Sequence, residues 1–127
     1  MVAWSALTSI AHPRMSIRLR GQGVSSSYNL KCPIARTLDI IGERWTMLIL
    51  RDLFLNGPRR FQDFEQSLPS ASATTLSARL KKLEDHGIVA RRFYTDHPPR
   101  AEYILTDKGR TLGPLLNMLL QWGTKHA

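Results

Sequence analysis

From Cys32 onward, apolar positions recur with helical spacing. Pro33 suits the first position of a helix, where its missing N–H costs nothing, and Ile34, Leu38 and Ile41 follow at i, i+4, i+7 up to Gly42. A first helix is predicted over 33–42. A second is predicted over 44–55, with Trp45, Leu48, Ile49 and Leu53 inward and Asn56-Gly57-Pro58 as its stop. Arg60-Phe61 opens a short third helix through about Ser67, with Phe61, Phe64 and Leu68 as its apolar set, and Leu68-Pro69 breaks it. After the turn Ser70-Ala71, Ser72 is a good N-cap, Leu76, Leu80 and Leu83 form one stripe, and Gly87 marks the end. Strand-like runs over 91–95 and 101–106 flank a turn stiffened by Pro98 and Pro99. The last helix, 108 to about 122, carries Leu112, Leu115, Leu116, Met118, Leu119, Leu120 and Trp122.

Four helices, a hairpin and a helix make a mainly α chain with one small β-hairpin, the element order of a winged helix-turn-helix. At about 100° per residue, the face of the fourth helix opposite its leucines carries Thr74, Ser77, Ala78, Lys81 and Lys82, with Thr75 and Arg79 on the flank. Taken alone, such a face is an ordinary solvated surface. Its neighbour changes the reading. A stiff loop holding Arg100 beside a helix bearing hydroxyls and lysines is what a DNA duplex can use, because a helix fits the major groove and arginine suits the narrower, more negative minor groove. The expected DNA-contacting set is Arg60, Ser72, Thr74, Thr75, Ser77, Arg79, Lys81, Lys82 and Arg100.

The 127 residues are enough for one domain, expected over 29–124. No apolar run approaches the ~20 residues of a membrane span, so a cytoplasmic protein is expected. The net charge of +8 invites a nucleic-acid partner, yet five of those charges lie in residues 1–38, which contain no acid. Placement therefore carries more weight than total charge. Residues 1–28 lack sustained periodicity and read as a loosely ordered tail, whether an over-extended start before Met15, a transit-like segment or an arm for phosphates. The last helix has more apolar positions than one small core can cover, so a homodimer is expected with Leu115, Met118, Leu119 and Trp122 at its interface.

Catalysis finds little support. His12, His86, His97 and His126 are scattered, no pair has metal-ligand spacing, and no glycine-rich phosphate loop follows a strand. Neither a metal nor a cofactor is expected. Asp39, Glu43 and Asp52 have Arg44 and Arg51 nearby, and salt bridges are the simpler reading of them. A winged helix used for protein contact is the other alternative, but it would place apolar residues on the face of Thr74, Lys81 and Lys82. Cys32 is the only cysteine, which excludes an intramolecular disulfide. Its place beside Lys31 at the first helix start makes it the redox candidate, with a buried or merely capping thiol as the plainer alternative.

These motifs together resemble the HxlR-type winged-helix regulators of bacteria and archaea. The resemblance covers about residues 32–120 and is carried by Gly42-Glu43-Arg44-Trp45-Thr46, Leu50-Arg51-Asp52-Leu53, Arg60-Phe61, the run from Leu76 to Leu83, Pro98-Pro99-Arg100-Ala101-Glu102-Tyr103 and Leu105-Thr106-Asp107-Lys108-Gly109. It implies a homodimeric transcription regulator on a palindromic operator, with the first and last helices at the dimer interface, the helix after Ser72 in the major groove and the hairpin as wing. Some relatives use a cysteine at the place of Cys32 to sense oxidants or electrophiles, so a small-molecule or oxidant effector is admitted. Ser70-Ala71 departs from the pattern, where relatives usually carry glycine and a larger aliphatic.

Overall fold

The computed structural model describes residues 27–127; most of the expected tail therefore lies outside the described residues. The chain divides between Gly42 and Glu43. In the first unit, helix α1 spans Pro33–Ile41 with Ala35 and Ile41 buried. Its lead-in is tied to it by Asp39, whose carboxylate accepts from the Tyr28 N–H at 2.8 Å and the Ser27 hydroxyl at 3.2 Å. Gly42 ends it, donating to the Leu38 carbonyl at 2.8 Å.

The second unit begins at Glu43. Helix α2 (Arg44–Asn56) is capped by the Glu43 carboxylate, which accepts from the Trp45 and Thr46 N–H groups at 2.8 and 3.2 Å. It stops at Gly57, whose φ of 75° is left-handed and suits glycine. Helix α3 (Phe61–Ser67) starts with Asp63 accepting from the Arg60 N–H at 2.9 Å. Helix α4 (Ala73–Asp85) is capped at Ser72, whose hydroxyl oxygen accepts from the Thr75 N–H at 3.1 Å. Gly87, at φ 71°, turns the chain out of it.

The core is built where these helices meet. Ile49, Leu50 and Leu53 of α2, Phe64 of α3 and Leu76, Leu80 and Leu83 of α4 are buried, with Leu68, Ile88 and Val89 closing the ends. The α4 stripe is the one its spacing predicts. On α2 the expectation needs correction, because Trp45 and Leu48 are only half-buried while Thr46 and Asp52 are buried. The core-facing stripe runs through 46, 49, 50 and 53, which leaves Trp45 about 90° and Leu48 about 150° from its centre. Trp45 is covered instead by the Arg44 guanidinium, 5.0 Å from its ring centroid.

Strands β1 (Val89–Asp96) and β2 (Pro99–Leu105) form an antiparallel hairpin, longer than predicted toward the turn because Thr95 and Asp96 pair with Arg100 and Pro99. Pro99 is tolerated as the first residue of its strand. The register shifts between Phe93 and Thr95, leaving Tyr94 as the extra residue of a bulge. Arg59 adds a short third edge, exchanging backbone hydrogen bonds with Tyr103 at 3.0 and 2.6 Å.

The single last helix predicted over 108 to 122 is two. A turn of helix, α5 (Asp107–Arg110), is capped by Thr106, and α6 runs over Gly113–His126. Pro114 explains the break, since it has no N–H for the Arg110 carbonyl and its ring would collide with that carbonyl in a continuous helix. No residue of α6 is buried. Leu115, Met118, Leu119, Leu120 and Trp122 are all exposed.

Candidate nucleic-acid interface

Helix α4 leaves its polar face free because its leucines discharge all its core duty. Thr74, Ser77, Ala78 and Lys81, at i, i+3, i+4 and i+7, are exposed. With Ala73 and Phe61 they line one shallow depression. The spacing-based face needs one adjustment: Thr75, Arg79 and Lys82 form a separate, half-buried flank, also at i, i+4, i+7. Ser72 and Thr75 are engaged in the helix start, the Ser72 hydroxyl donating to Thr75 Oγ1 at 2.9 Å as well as capping.

The cations differ in what they hold. Lys81 reaches Asp85 one turn on, at 2.8 Å, and this hydrogen bond raises its ammonium above the ordinary lysine value. Both groups are well exposed, so the pair is weak. Arg79 Nε lies 3.1 Å from the Glu43 carboxylate, joining α4 to the cap of α2. Arg60 stands at the mouth of α3, and its hydrogen bond to the Tyr94 hydroxyl on β1, with Asp63 at 3.8 Å, keeps its guanidinium above the ordinary arginine value. Arg100, opposite Thr95 at the hairpin turn, is exposed and has no carboxylate partner among the described residues.

The hairpin is braced on both sides. Arg91 of β1 pairs with Glu84 of α4 at 3.0 Å, and Arg92 pairs across the hairpin with Glu102 at 2.6 Å. The turn is tightened by the Thr95 hydroxyl, which donates to the Pro98 carbonyl at 2.8 Å. Tyr103, edge-on to Phe64 with centroids 6.1 Å apart, is held above the ordinary phenol value by burial. Sequence reasoning did not identify Glu43, Arg59, Phe61 or Tyr94 as part of this surface. For Glu43 the signal was present, an acid immediately before a predicted helix start; for the others the partner is remote in sequence.

Of the acids read as salt-bridge formers, Asp52 does meet Arg51, at 2.9 Å, whereas Glu43 meets Arg79 rather than Arg44. Cys32 sits at the N-cap position of α1, half-buried, but its side chain makes no capping hydrogen bond. Of the plainer alternatives for it, capping is therefore not what the thiol does. Among the described residues no group of His, Cys, Asp and Glu could hold a metal ion, and no helix is long and apolar enough to cross a membrane.

Residues 40–127 match the family described as HxlR-like helix-turn-helix. The HTH-type transcriptional regulator YvaP of Bacillus subtilis (strain 168) is 44% identical over 95 residues, covering 74% of this chain and 87% of its own. Among solved structures, the redox regulator HypR in its oxidized form aligns with a TM-score of 0.70 at 38% identity, over 76% of this chain and 98% of HypR. The reduced form of the transcriptional regulator YodB from B. subtilis aligns with a TM-score of 0.64 at 31% identity, over 78% of this chain and 96% of YodB.

Proposed function

Since the chain belongs to the HxlR-like helix-turn-helix family of transcriptional regulators, we propose that it acts in the bacterial cytoplasm as a homodimer that binds a palindromic operator. The observation that carries this reading is the exposed polar face of α4 beside a hairpin whose Arg100 has no carboxylate partner among the described residues. Thr74 and Ser77 would enter the major groove, with Ser72, Thr75, Arg79, Lys81 and Lys82 flanking them toward the phosphates. Arg100 would reach the adjacent minor groove and Arg60 the backbone beneath the hairpin. Dimerisation would use the open apolar positions of α6, namely Leu115, Met118, Leu119 and Trp122. Selection of bound duplexes from a random pool, followed by footprinting, tests the proposal. Two inverted half-sites about one helical turn apart are expected; a set of unrelated sequences bound equally well would refute it.

A second reading adds sensing by Cys32. The likeness to redox regulator HypR favours it, together with a half-buried thiol that is not consumed in capping. With one cysteine per chain, oxidation would join two subunits or attach a small thiol. Diamide treatment should then change operator affinity in the parent and leave Cys32→Ser unaffected. Equal affinity before and after complete oxidation of the thiol would remove this role.

A further inference from the structure

Asp52 is a charged residue in the core, only 2% exposed. Its carboxylate is approached from three elements. Arg51 of α2 donates to Oδ1 through Nη2 at 2.9 Å and Nε at 3.2 Å, the Ser67 hydroxyl at the end of α3 donates to Oδ2, and Arg59 Nη2 lies 3.9 Å from Oδ2. A buried charge that loses a partner keeps its desolvation cost, so these groups are strongly held where they are. Arg59 Nε is itself buried without an acceptor among the described residues, and the carboxylate that this guanidinium faces, at 3.9 Å from Nη2, is that of Asp52.

Arg59 is also the residue that borders the hairpin. Its N–H donates to the Tyr103 carbonyl at 3.0 Å and its carbonyl accepts from the Tyr103 N–H at 2.6 Å. One carboxylate on the central helix thus fastens the segment that forms the third edge of the wing sheet. Further ties between hairpin and helices are the Arg60–Tyr94 hydrogen bond, the Phe64–Tyr103 ring contact and the ion pair of Arg91 with Glu84, which is partly exposed and correspondingly weak.

We propose that Asp52 is the positioning residue of the wing: by holding Arg59 against β2 it fixes the direction in which the hairpin presents Arg100 beside α4. Asp52 touches no DNA in this scheme. The proposal rests on the reading of the hairpin as a DNA-contacting wing, and a double-mutant cycle keeps the two apart. Operator affinity is measured for the parent, Arg100→Ala, Asp52→Asn and the double variant at one salt concentration, together with amide hydrogen exchange at Arg59 and Tyr103.

Arg100→Ala and Asp52→Asn should each weaken operator binding by about tenfold, with the double variant no weaker than either single one. Exchange at the Arg59 and Tyr103 amides should accelerate in Asp52→Asn beyond any change at the Ile49 and Leu80 amides. Additive losses in the cycle, or exchange that rises equally at all four amides, would overturn the proposal and make Asp52 a general stabiliser. If Arg100→Ala binds as tightly as the parent, the DNA role of the wing has failed, and local exchange still decides whether Asp52 positions the hairpin. Should Asp52→Asn not fold, Ser67→Ala removes one partner from the same carboxylate and is read by the same cycle and the same amides.

Discussion

Lys81 and Arg79 sit two residues apart on α4, yet the structure gives them different tasks. Lys81 projects from the exposed face with a weak partner on its own helix, so it can exchange Asp85 for a phosphate at little cost. Lys81→Ala should lower the slope of log affinity against log salt by about one and weaken all sequences alike, while stability changes by less than about 0.5 kcal/mol. Arg79 is half-buried against Glu43, which also caps α2. Its alanine variant should lose about 1 kcal/mol of folding stability in urea titration, in addition to any loss of affinity. A Lys81→Ala protein that fails on one sequence only would contradict a phosphate role. The Lys81–Asp85 pair could be read from i, i+4 spacing, whereas Arg79 and Glu43 are brought together only by the crossing of two helices. Which cation of a basic face is already occupied depends on tertiary contact, and the helical period does not contain it.

Among the elements, the leucine stripe of α4, its N-cap and the hairpin followed from spacing, because burial and capping there are local choices. The last helix did not. Its apolar positions recur closely from Leu112 to Trp122, and that run outweighed Gly113-Pro114, which in the fold separates α5 from α6. Two glycines show how differently these pieces are placed. A Cβ on Gly109 would lie 2.2 Å from the Ile88 carbonyl oxygen, whereas one on Gly123 would meet nothing within 4 Å. Gly109→Ala should therefore destabilise by about 1–3 kcal/mol in thermal or urea melts, since backbone must move. Gly123→Ala, inside a helix and unobstructed, should stabilise by up to about 1 kcal/mol. The exposed side of α6 makes its own prediction. Met118 and Trp122 are each more than 60% exposed although both are large and apolar. Met118→Glu with Trp122→Glu should give a folded monomer by light scattering, because the charges fall where a partner helix would pack. A dimer of unchanged mass would place the interface elsewhere.

For the whole molecule, net charge alone is a poor guide to DNA binding, because seven of the acids from Glu43 onward are committed to ion pairs with arginine or lysine. On the proposed reading, Arg100, without a carboxylate partner among the described residues, and the loosely held Lys81 are what one protomer would offer a duplex, and two protomers related by a two-fold axis would offer them twice. That symmetry leads to a prediction about distance. If α6 joins the protomers, two α4 helices are held at one fixed separation, and both fit only when the half-sites share a face of the duplex. Inserting about five base pairs between the half-sites turns one of them to the opposite face without altering either sequence. Gel-shift titration should then show a loss of about a hundredfold or more, down to the affinity of a single half-site, because simultaneous engagement no longer occurs. The monomeric Met118→Glu, Trp122→Glu variant should bind both spacings equally, at that same half-site level and with a shallower salt slope. Equal affinity of the parent for both spacings would mean that its two reading heads are not rigidly joined, and the dimer would have to be rebuilt around a flexible connection.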